Sequence, residues 1–187
     1  MTYSDIQIEI TPDNLHFHSE IKERSGVETN MCWQCMTCTN GCPVAHAMDH
    51  NPNVIVELVR MGLKKEVLES SAIWLCVGCN TCAHRCPNLI DMAALNDTLR
   101  KIAIEERVNI AQPGILKFHR IVLNSIRNNG RTHKLGIMLK YKLYKRDWFS
   151  DITVGMQMMV KRKLSLLPSG IRKITEIRNI FKTKRLA

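Results

Sequence analysis

The sequence predicts a mainly α-helical protein in which a metal-binding domain precedes a basic helical extension. Apolar residues recur at helical spacing through most of the 187 residues, and all eight cysteines fall between residues 32 and 86. Residues 1–112 carry 9 Lys and Arg against 14 Asp and Glu, whereas residues 113–187 carry 18 against 3. Because Pro113-Gly114 lies where the charge changes sign, we expect a domain over 1–112 and an extension over 113–187.

The N-terminal segment has no features of an export signal. Ile6, Ile8 and Ile10 alternate with polar residues, which is typical of a short strand or an extended arm. No apolar run approaches the roughly 18 residues that span a bilayer. We therefore expect a cytoplasmic protein without a transmembrane segment. In that reducing compartment, cysteines indicate metal binding rather than disulfides.

Capping residues and helix-terminating glycines predict three longer helices in the first part of the chain. Thr11, Asn51 and Asp91 are suited to N-cap positions, and Gly26 and Gly62 to the residue that follows a helix. The expected helices cover 12–24, 52–61 and 92–108, with a shorter helical turn at 65–69. Prolines at the first helical position support the starts of the first two helices.

The basic extension contains patterns for three or four helices, over 115–126, 135–144, 152–164 and 171–181. Its basic residues come in small groups: Lys140-Tyr141-Lys142, Lys145-Arg146, Lys161-Arg162-Lys163, Arg172-Lys173 and Lys182-Thr183-Lys184-Arg185. This surface favours docking against acidic surfaces of partner subunits. A solvated helical face is the plainer interpretation, and nucleic acid or an anionic membrane surface is a further alternative.

The cysteines form one motif that occurs twice. The two copies are Cys32, Cys35, Cys38, Cys42 and Pro43, and then Cys76, Cys79, Cys82, Cys86 and Pro87. Both follow C-x2-C-x2-C-x3-C-P, and a shift of 44 residues superimposes them and places Thr37 on Thr81. Three cysteines at intervals of three residues on a coiled loop surround one face of a cubane cluster. The repeat therefore predicts two [4Fe–4S] clusters.

The fourth cysteine of each run lies a helical turn further along and points elsewhere. In two-cluster ferredoxins with this spacing, that cysteine binds the other cluster. Applied to this sequence, the rule assigns Cys32, Cys35, Cys38 and Cys86 to cluster 1 and Cys42, Cys76, Cys79 and Cys82 to cluster 2. With cysteine at all four corners, each cluster transfers single electrons and has no open iron position. We expect no catalytic residue in this chain.

Other interpretations of these residues are weaker. Disulfides would have to join cysteines three residues apart, and zinc sites normally use two C-x2-C pairs, whereas each run here has a third cysteine in register. Trp33 and Trp74 flank the runs, where they either shield the clusters from water or serve in packing alone, and packing is the favoured interpretation. His84 and Arg85 either screen an anionic cluster or belong to the exposed surface.

The two cysteine runs, with Asn51-Pro52 after the first and Trp74-Leu75-Cys76 opening the second, resemble the α-helical ferredoxin class. The size of the chain is similar to that of the C subunits of soluble CoB–CoM heterodisulfide reductases of methanogenic archaea. The resemblance covers about residues 15–110. It implies an α-helical ferredoxin-like domain and carries the family's cluster ligands onto all eight cysteines.

The resemblance also implies a role. In that family the C subunit relays electrons from a flavin-bearing A subunit, which bifurcates electrons supplied by a hydrogenase or formate dehydrogenase. The acceptor is the B subunit, which reduces the heterodisulfide in the last step of methanogenesis. A related sulfur-metabolism, glycolate or glycerol-phosphate oxidoreductase complex is the main alternative. A cluster-containing regulator that binds nucleic acid is disfavoured, because two fully ligated clusters suit electron transfer better than sensing.

Overall fold

The computed structural model describes residues 12–145, 157–158, 161, 171 and 174–183. The helices with described bounds are α1 (Pro12–Ser25), α2 (Thr37–Asn40), α3 (Pro52–Arg60), α4 (Lys64–Leu68), α5 (Ala72–Leu75), α6 (Thr81–Arg85), α7 (Met92–Glu105), α8 (Pro113–Asn129), α9 (Lys134–Lys145) and α10 (Ile174–Thr183). Short 3-10 turns cover Thr29–Met31 and Ala45–Ala47, and none of the described residues forms a strand. The expected mainly helical fold class is confirmed.

The chain divides into two compact units, Met1–Pro113 and Gly114–Ala187. The expected N-terminal arm at Ile6, Ile8 and Ile10 lies outside the described residues, as does most of the expected helix over 152–164. The same holds for basic residues 146, 162–163, 172–173 and 184–185.

Helix α3 begins and ends where the sequence predicts. Asn51 has extended backbone at the N-cap, and Pro52 occupies the first helical position, where its missing N–H costs nothing. At the other end Gly62 has φ 70°. The Gly62 N–H donates to the Val59 carbonyl at 3.0 Å, and the Leu63 N–H donates to the Leu58 carbonyl at 2.9 Å. This Schellman motif satisfies the last carbonyls of the helix and turns the chain into α4.

Helix α7 is the central element of the first unit. Asp91 Oδ1 accepts hydrogen bonds from the N–H groups of Ala93 and Ala94 at 2.9 and 3.0 Å, as its predicted capping role requires. The helix ends at Glu105, three residues earlier than expected. Arg107 adopts φ 55°, and the Val108 N–H returns to the Ala103 carbonyl at 3.2 Å. An arginine therefore occupies the left-handed position that glycine usually fills.

The core of the first unit forms where α7 contacts α1, α4 and α5. Its large, fully buried side chains come from all of these helices and from α3: Phe17, Ile21, Ile55, Val56, Val59, Val67, Leu68, Ile73, Trp74, Leu95, Leu99 and Ile102. Each such side chain contributes about 2 kcal/mol through its removal from water. This core holds α5 and α7, between which the second cysteine loop lies, and α3, which follows the first cysteine loop in the sequence.

In the second unit, α8 and α9 follow the sequence periodicity over 115–126 and 135–144. Phe118 meets Tyr141 edge-on with ring centroids 5.4 Å apart. Gly130 terminates α8 with φ 74°, and an added Cβ would lie 2.3 Å from Ile171 Cγ1, so only glycine fits there. Residues 113–145 contain no Asp or Glu. Among the described residues, every helix is too short or too polar to cross a membrane.

Candidate metal centre

The two cysteine loops share a backbone conformation as well as a sequence motif. Gln34 and Gly78, which the 44-residue shift superimposes, have φ 54° and 62°. Met36 and Asn80, the next superimposed pair, have φ 61° and 59° and stand at the N-caps of α2 and α6. These left-handed residues coil each loop tightly before a short helix begins. The repeat seen in the sequence is therefore also a repeat of local structure.

A threonine hydroxyl accompanies the second cysteine of each loop. Thr37 Oγ1 lies 3.3 Å from Cys35 Sγ, and Thr81 Oγ1 lies 3.4 Å from Cys79 Sγ. In both cases this hydroxyl, and then the threonine N–H, lowers the pKa of the cysteine by stabilising the thiolate. The only sequence signal for this role was that Thr37 falls on Thr81.

The third cysteine of each loop is less exposed to solvent than the second. Burial raises the pKa of Cys38, although Thr39 opposes the shift, and burial together with the neighbouring thiols of Cys76 and Cys38 raises the pKa of Cys82 to about 11. A half-buried thiolate is unfavourable unless a cation compensates its charge. Iron supplies that compensation, because coordination favours the deprotonated sulfur. The thiol environment therefore fits a resident iron–sulfur group.

Two cavities adjoin the cysteine loops. The first encloses about 410 Å³, including space open to solvent, and its lining includes Cys32, Cys35, Cys38, Cys82 and Cys86. The second encloses about 500 Å³ and is lined by Cys42, Cys76, Cys79 and Cys82 together with apolar side chains that include Ile55 and Met92. Each cavity thus brings together the four cysteines that the sequence assigns to one cluster, and Cys82 borders both. All eight cysteines are free.

Contacts between the repeats hold the two loops against each other. Helix α2 packs against α6, and Arg85 reaches over Gly41, where an added Cβ would lie 3.2 Å from its Nη1. The Asn88 carboxamide donates to the Met31 carbonyl. His84 and Arg85 are both exposed, which agrees with the surface interpretation of this pair.

A polar network at the first loop was not foreseen from the sequence. Gln34 Nε2 donates to Glu57 Oε2 at 2.9 Å and lies 3.5 Å from Cys32 Sγ. Asn53 Nδ2 donates to Gln34 Oε1 at 3.1 Å, and the Thr39 hydroxyl donates to Asn53 Oδ1 at 2.6 Å. Nothing in the linear pattern joins Gln34 to residues 19 and 23 positions away, because the turn before α3 brings them together.

Two further residues fix the approach to the second loop. Asp49 Oδ1 accepts from the Ser70 hydroxyl at 2.7 Å and from the Ala72 N–H at 3.0 Å, so it caps α5 from outside the helix. Arg100 donates to the carbonyls of Ile73 and Cys76 at the other end of α5. The short helix that leads to Cys76 is therefore held at both ends by side chains from distant segments.

The exposed large apolar residues of the described part of the first unit surround the cysteine loops. They are Met31, Trp33, Met36, Val77 and Leu89. Trp33 is 71% exposed and lines the cavity that contains Cys32, so packing alone does not explain it, whereas Trp74 is buried, as packing predicts. Trp33 and Val77 are superimposed by the 44-residue shift. The repeat thus places an outward-facing apolar residue after the first cysteine of each run.

Comparison with known proteins agrees with this geometry. Residues 28–90 match the family described as "4Fe-4S dicluster domain". The chain is 29% identical over 103 residues to the iron-sulfur C subunit of the CoB–CoM heterodisulfide reductase of Methanopyrus kandleri, covering 52% of this chain and 54% of that protein. It is 34% identical over 74 residues to the C subunit of the H(2):CoB-CoM heterodisulfide,ferredoxin reductase of Methanothermobacter thermautotrophicus, covering 40% of each.

A third relative is an iron-sulfur C subunit, numbered 2, of the CoB–CoM heterodisulfide reductase of Methanocaldococcus jannaschii, 37% identical over 75 residues that make up 40% of each chain. The chain therefore spans about half the length, or less, of the curated relatives it matches. The matched region contains both cysteine runs and supports an iron–sulfur electron-transfer role. Residues 28–90 form a 4Fe-4S dicluster domain that holds two [4Fe–4S] clusters, in a chain related to the C subunits of heterodisulfide reductases.

Proposed function

We propose that this chain is the electron-relay subunit of a CoB–CoM heterodisulfide reductase complex. In this role it accepts single electrons from a flavin-bearing A subunit and passes them to a B subunit that reduces the heterodisulfide. The A subunit bifurcates electrons from a hydrogenase or formate dehydrogenase. The names of the relatives support the assignment to a heterodisulfide reductase complex, and the match to a dicluster domain supports the electron-relay role. The eight reduced thiols that the clusters need favour a cytoplasmic location.

The observation that carries the proposal is the lining of the two cavities. Cys86, from the second run, borders the same cavity as Cys32, Cys35 and Cys38, and Cys42 borders the other with Cys76, Cys79 and Cys82. This supports the crossed assignment, with Cys32, Cys35, Cys38 and Cys86 for cluster 1 and Cys42, Cys76, Cys79 and Cys82 for cluster 2. Since Cys82 borders both cavities, the two sites lie close together.

Each [4Fe–4S] cluster, when bound, supplies a one-electron couple. The residues of this chain would hold each cluster and shield it from water. Asp49 and Arg100 fix the loop entrance at Cys76, the threonine hydroxyls stabilise the thiolates of Cys35 and Cys79, and apolar side chains limit water in both cavities. With four cysteines committed to each cluster, substrate binding is left to another subunit.

The surface around the loops is suited to contact with a redox partner. Residues 29–48 and 70–83 contain no Lys, Arg, Asp or Glu, and five large apolar side chains project from these segments and from Leu89. The cores of protein interfaces are depleted in charge and enriched in aromatic residues and methionine. We therefore propose that electrons enter and leave the clusters through this uncharged surface around the cysteine loops. The basic extension over 113–187 would dock against acidic surfaces of the partner subunits. No nucleic-acid partner is proposed.

Pairs of cysteine variants test the crossed ligation. Cys32→Ala with Cys86→Ala removes two ligands from one proposed cluster, so about four irons per chain remain. Cys32→Ala with Cys42→Ala removes one ligand from each cluster, so both become labile. Anaerobic iron and sulfide analysis, together with electron paramagnetic resonance, measures how many clusters each pair of variants retains. The reverse pattern, with four irons retained only in the second pair, would establish uncrossed clusters.

Purification under anaerobic conditions tests the complex. The proposal expects a flavin-bearing subunit and a heterodisulfide-reducing subunit to co-purify with the chain in fixed proportion. The alternative is a relay in a related glycolate, glycerol-phosphate or sulfur-metabolising oxidoreductase. This alternative would be favoured if a glycolate, glycerol-phosphate or sulfur-metabolising dehydrogenase co-purified with the chain and the pure complex had no heterodisulfide-reducing activity.

A further inference from the structure

Gln34 occupies a backbone position that glycine holds in the other cysteine loop. Gln34 has φ 54° and its repeat counterpart Gly78 has φ 62°. The left-handed region is strained for a residue with a Cβ atom and free of strain for glycine. An added Cβ at Gly78 would meet no atom within 4 Å, so space does not explain the difference between the loops. A strained residue at such a position points to a role of its side chain.

The side chain of Gln34 connects the ligand Cys32 to α3. Its Nε2 lies 2.9 Å from Glu57 Oε2, 3.2 Å from the Asn53 carbonyl and 3.5 Å from Cys32 Sγ. Two N–H groups serve these three acceptors, so the contact with sulfur is shared. Asn53 Nδ2 donates to Gln34 Oε1 at 3.1 Å, and Arg60 balances the charge of Glu57 at 2.8 Å. The carboxamide is therefore held in place beside the sulfur.

The second loop has no equivalent of this network. The 44-residue shift places Gln34, Thr39 and Glu57 on Gly78, Ala83 and Lys101. Helix α2 packs beside α3 as α6 packs beside α7, so the scaffold repeats while these polar side chains do not. The two sites are thus alike in the spacing of their cysteines, in their left-handed loop positions and in the threonine beside the second cysteine, whereas among the described contacts only the first site has a side-chain amide beside a ligand sulfur.

We propose that Gln34 is a positioning residue that makes the two clusters electronically unequal, by donating a hydrogen bond to the sulfur of Cys32 at cluster 1 alone. Hydrogen bonds to ligand sulfurs offset negative charge and favour the reduced cluster. The side chain thereby raises the reduction potential of cluster 1 relative to that of cluster 2. This inference rests on the ligation of cluster 1 by Cys32 in the proposed function.

The test compares the reduction potentials of both clusters in variants of the 187-residue chain. Gln34→Met keeps the length of the side chain without a donor, and Gln34→Gly copies the second loop. In anaerobic redox titrations followed by electron paramagnetic resonance, both variants are expected to lower one midpoint and leave the other unchanged. At the wild-type midpoint the ratio of reduced to oxidised cluster at the affected site should be about fivefold lower, as expected for the loss of one shared hydrogen bond of ordinary net strength.

Leu89→Gly is the matched control for backbone strain, since Leu89 has φ 56° and is 80% exposed. It should leave both midpoints unchanged. Equal shifts of both clusters, no shift in the Gln34 variants, or a shift in Leu89→Gly would each overturn the proposal. Loss of iron from both Gln34 variants would overturn it too, by assigning a purely structural role. Failure of the proposed ligation appears separately, as eight irons retained in Cys32→Ala.

Discussion

Asp49 and Ser71 exchange hydrogen bonds across 22 positions of sequence. The Ser71 N–H donates to Asp49 Oδ2 at 2.7 Å, and the Asp49 N–H donates to Ser71 Oγ at 3.3 Å. Burial raises the pKa of Asp49, but the Ser71 N–H, the Ser70 hydroxyl and the His50 N–H outweigh it and lower the pKa from 3.8 to about 2. The carboxylate is therefore a structural link between the first cysteine run and the start of α5.

Replacement of Asp49 by alanine should lower the free energy of unfolding by about 1 kcal/mol at pH 7, because it removes an external cap from α5. The folded pKa lies below the unfolded one, so this contribution is complete above about pH 5 and is lost as the pH falls through about 4 towards 2. Thermal unfolding of both proteins at about pH 7, 4.5 and 3 measures the difference, with Glu23→Ala on the exposed surface as control. A difference that is unchanged at about pH 3 would contradict the lowered pKa.

The paired threonines should act independently and alike. Thr37→Val and Thr81→Val each remove one hydroxyl from a ligand sulfur, at Cys35 and Cys79 respectively. We expect each variant to lower the potential of its own cluster by about 40 mV, which corresponds to about 1 kcal/mol for one electron. Redox titration of the single and double variants measures this. If both single variants altered the same midpoint, the local assignment of the two hydroxyls would be wrong.

Arg100 should stabilise the cluster site that contains Cys76 and have little effect on the other site. It donates to the carbonyls of Ile73 and Cys76, and its counterpart at the first loop is Val56. Arg100→Met retains the apolar stem but leaves these carbonyls unpaired, at a cost of about 2 kcal/mol. The expected result is faster loss of iron to a chelator from the site containing Cys76. Arg100→Lys, which restores one donor, should recover part of the loss, and uniform loss from both sites would refute the local role.

The proposed domain division predicts that a chain ending at residue 112 still binds about eight irons. The buried side chains around α7 and all eight cysteines lie before that point. Iron and sulfide analysis and electron paramagnetic resonance of the shortened chain, with the full chain as reference, test this. A shortened chain that folds but holds one cluster would show that the basic extension completes a site.

The helices and cysteine loops could be predicted because their signals are local. Pro52 and Gly62 mark the two ends of α3, and Asp91 marks the start of α7. The end of α7 was missed because Arg107 takes the left-handed conformation without the glycine that usually signals it. The cap provided by Asp49 was missed for a different reason, since its helix begins more than twenty residues later.

The environment of the loops was harder to predict, because side-chain polarity does not specify what covers a residue. Trp33 resembles a core residue in composition, yet it projects outward next to Cys32. Gln34 resembles a surface residue, yet its carboxamide turns inward to α3. Both residues lie in the loop that coils through the left-handed positions Gln34 and Met36. That coil followed from no single residue, because only Gly78 of the four left-handed positions is glycine.

The doubled loop also bears on how the two cluster sites are completed. Under the proposed ligation, one copy of the motif contributes three sulfurs to one cluster and a fourth to its neighbour, so a lone copy completes neither. Two separate copies would complete each other as a symmetric pair of short peptides. Within the single chain each loop therefore depends on the other for a complete set of ligands. Gln34 and Gly78 mark a position where the two interdependent loops differ.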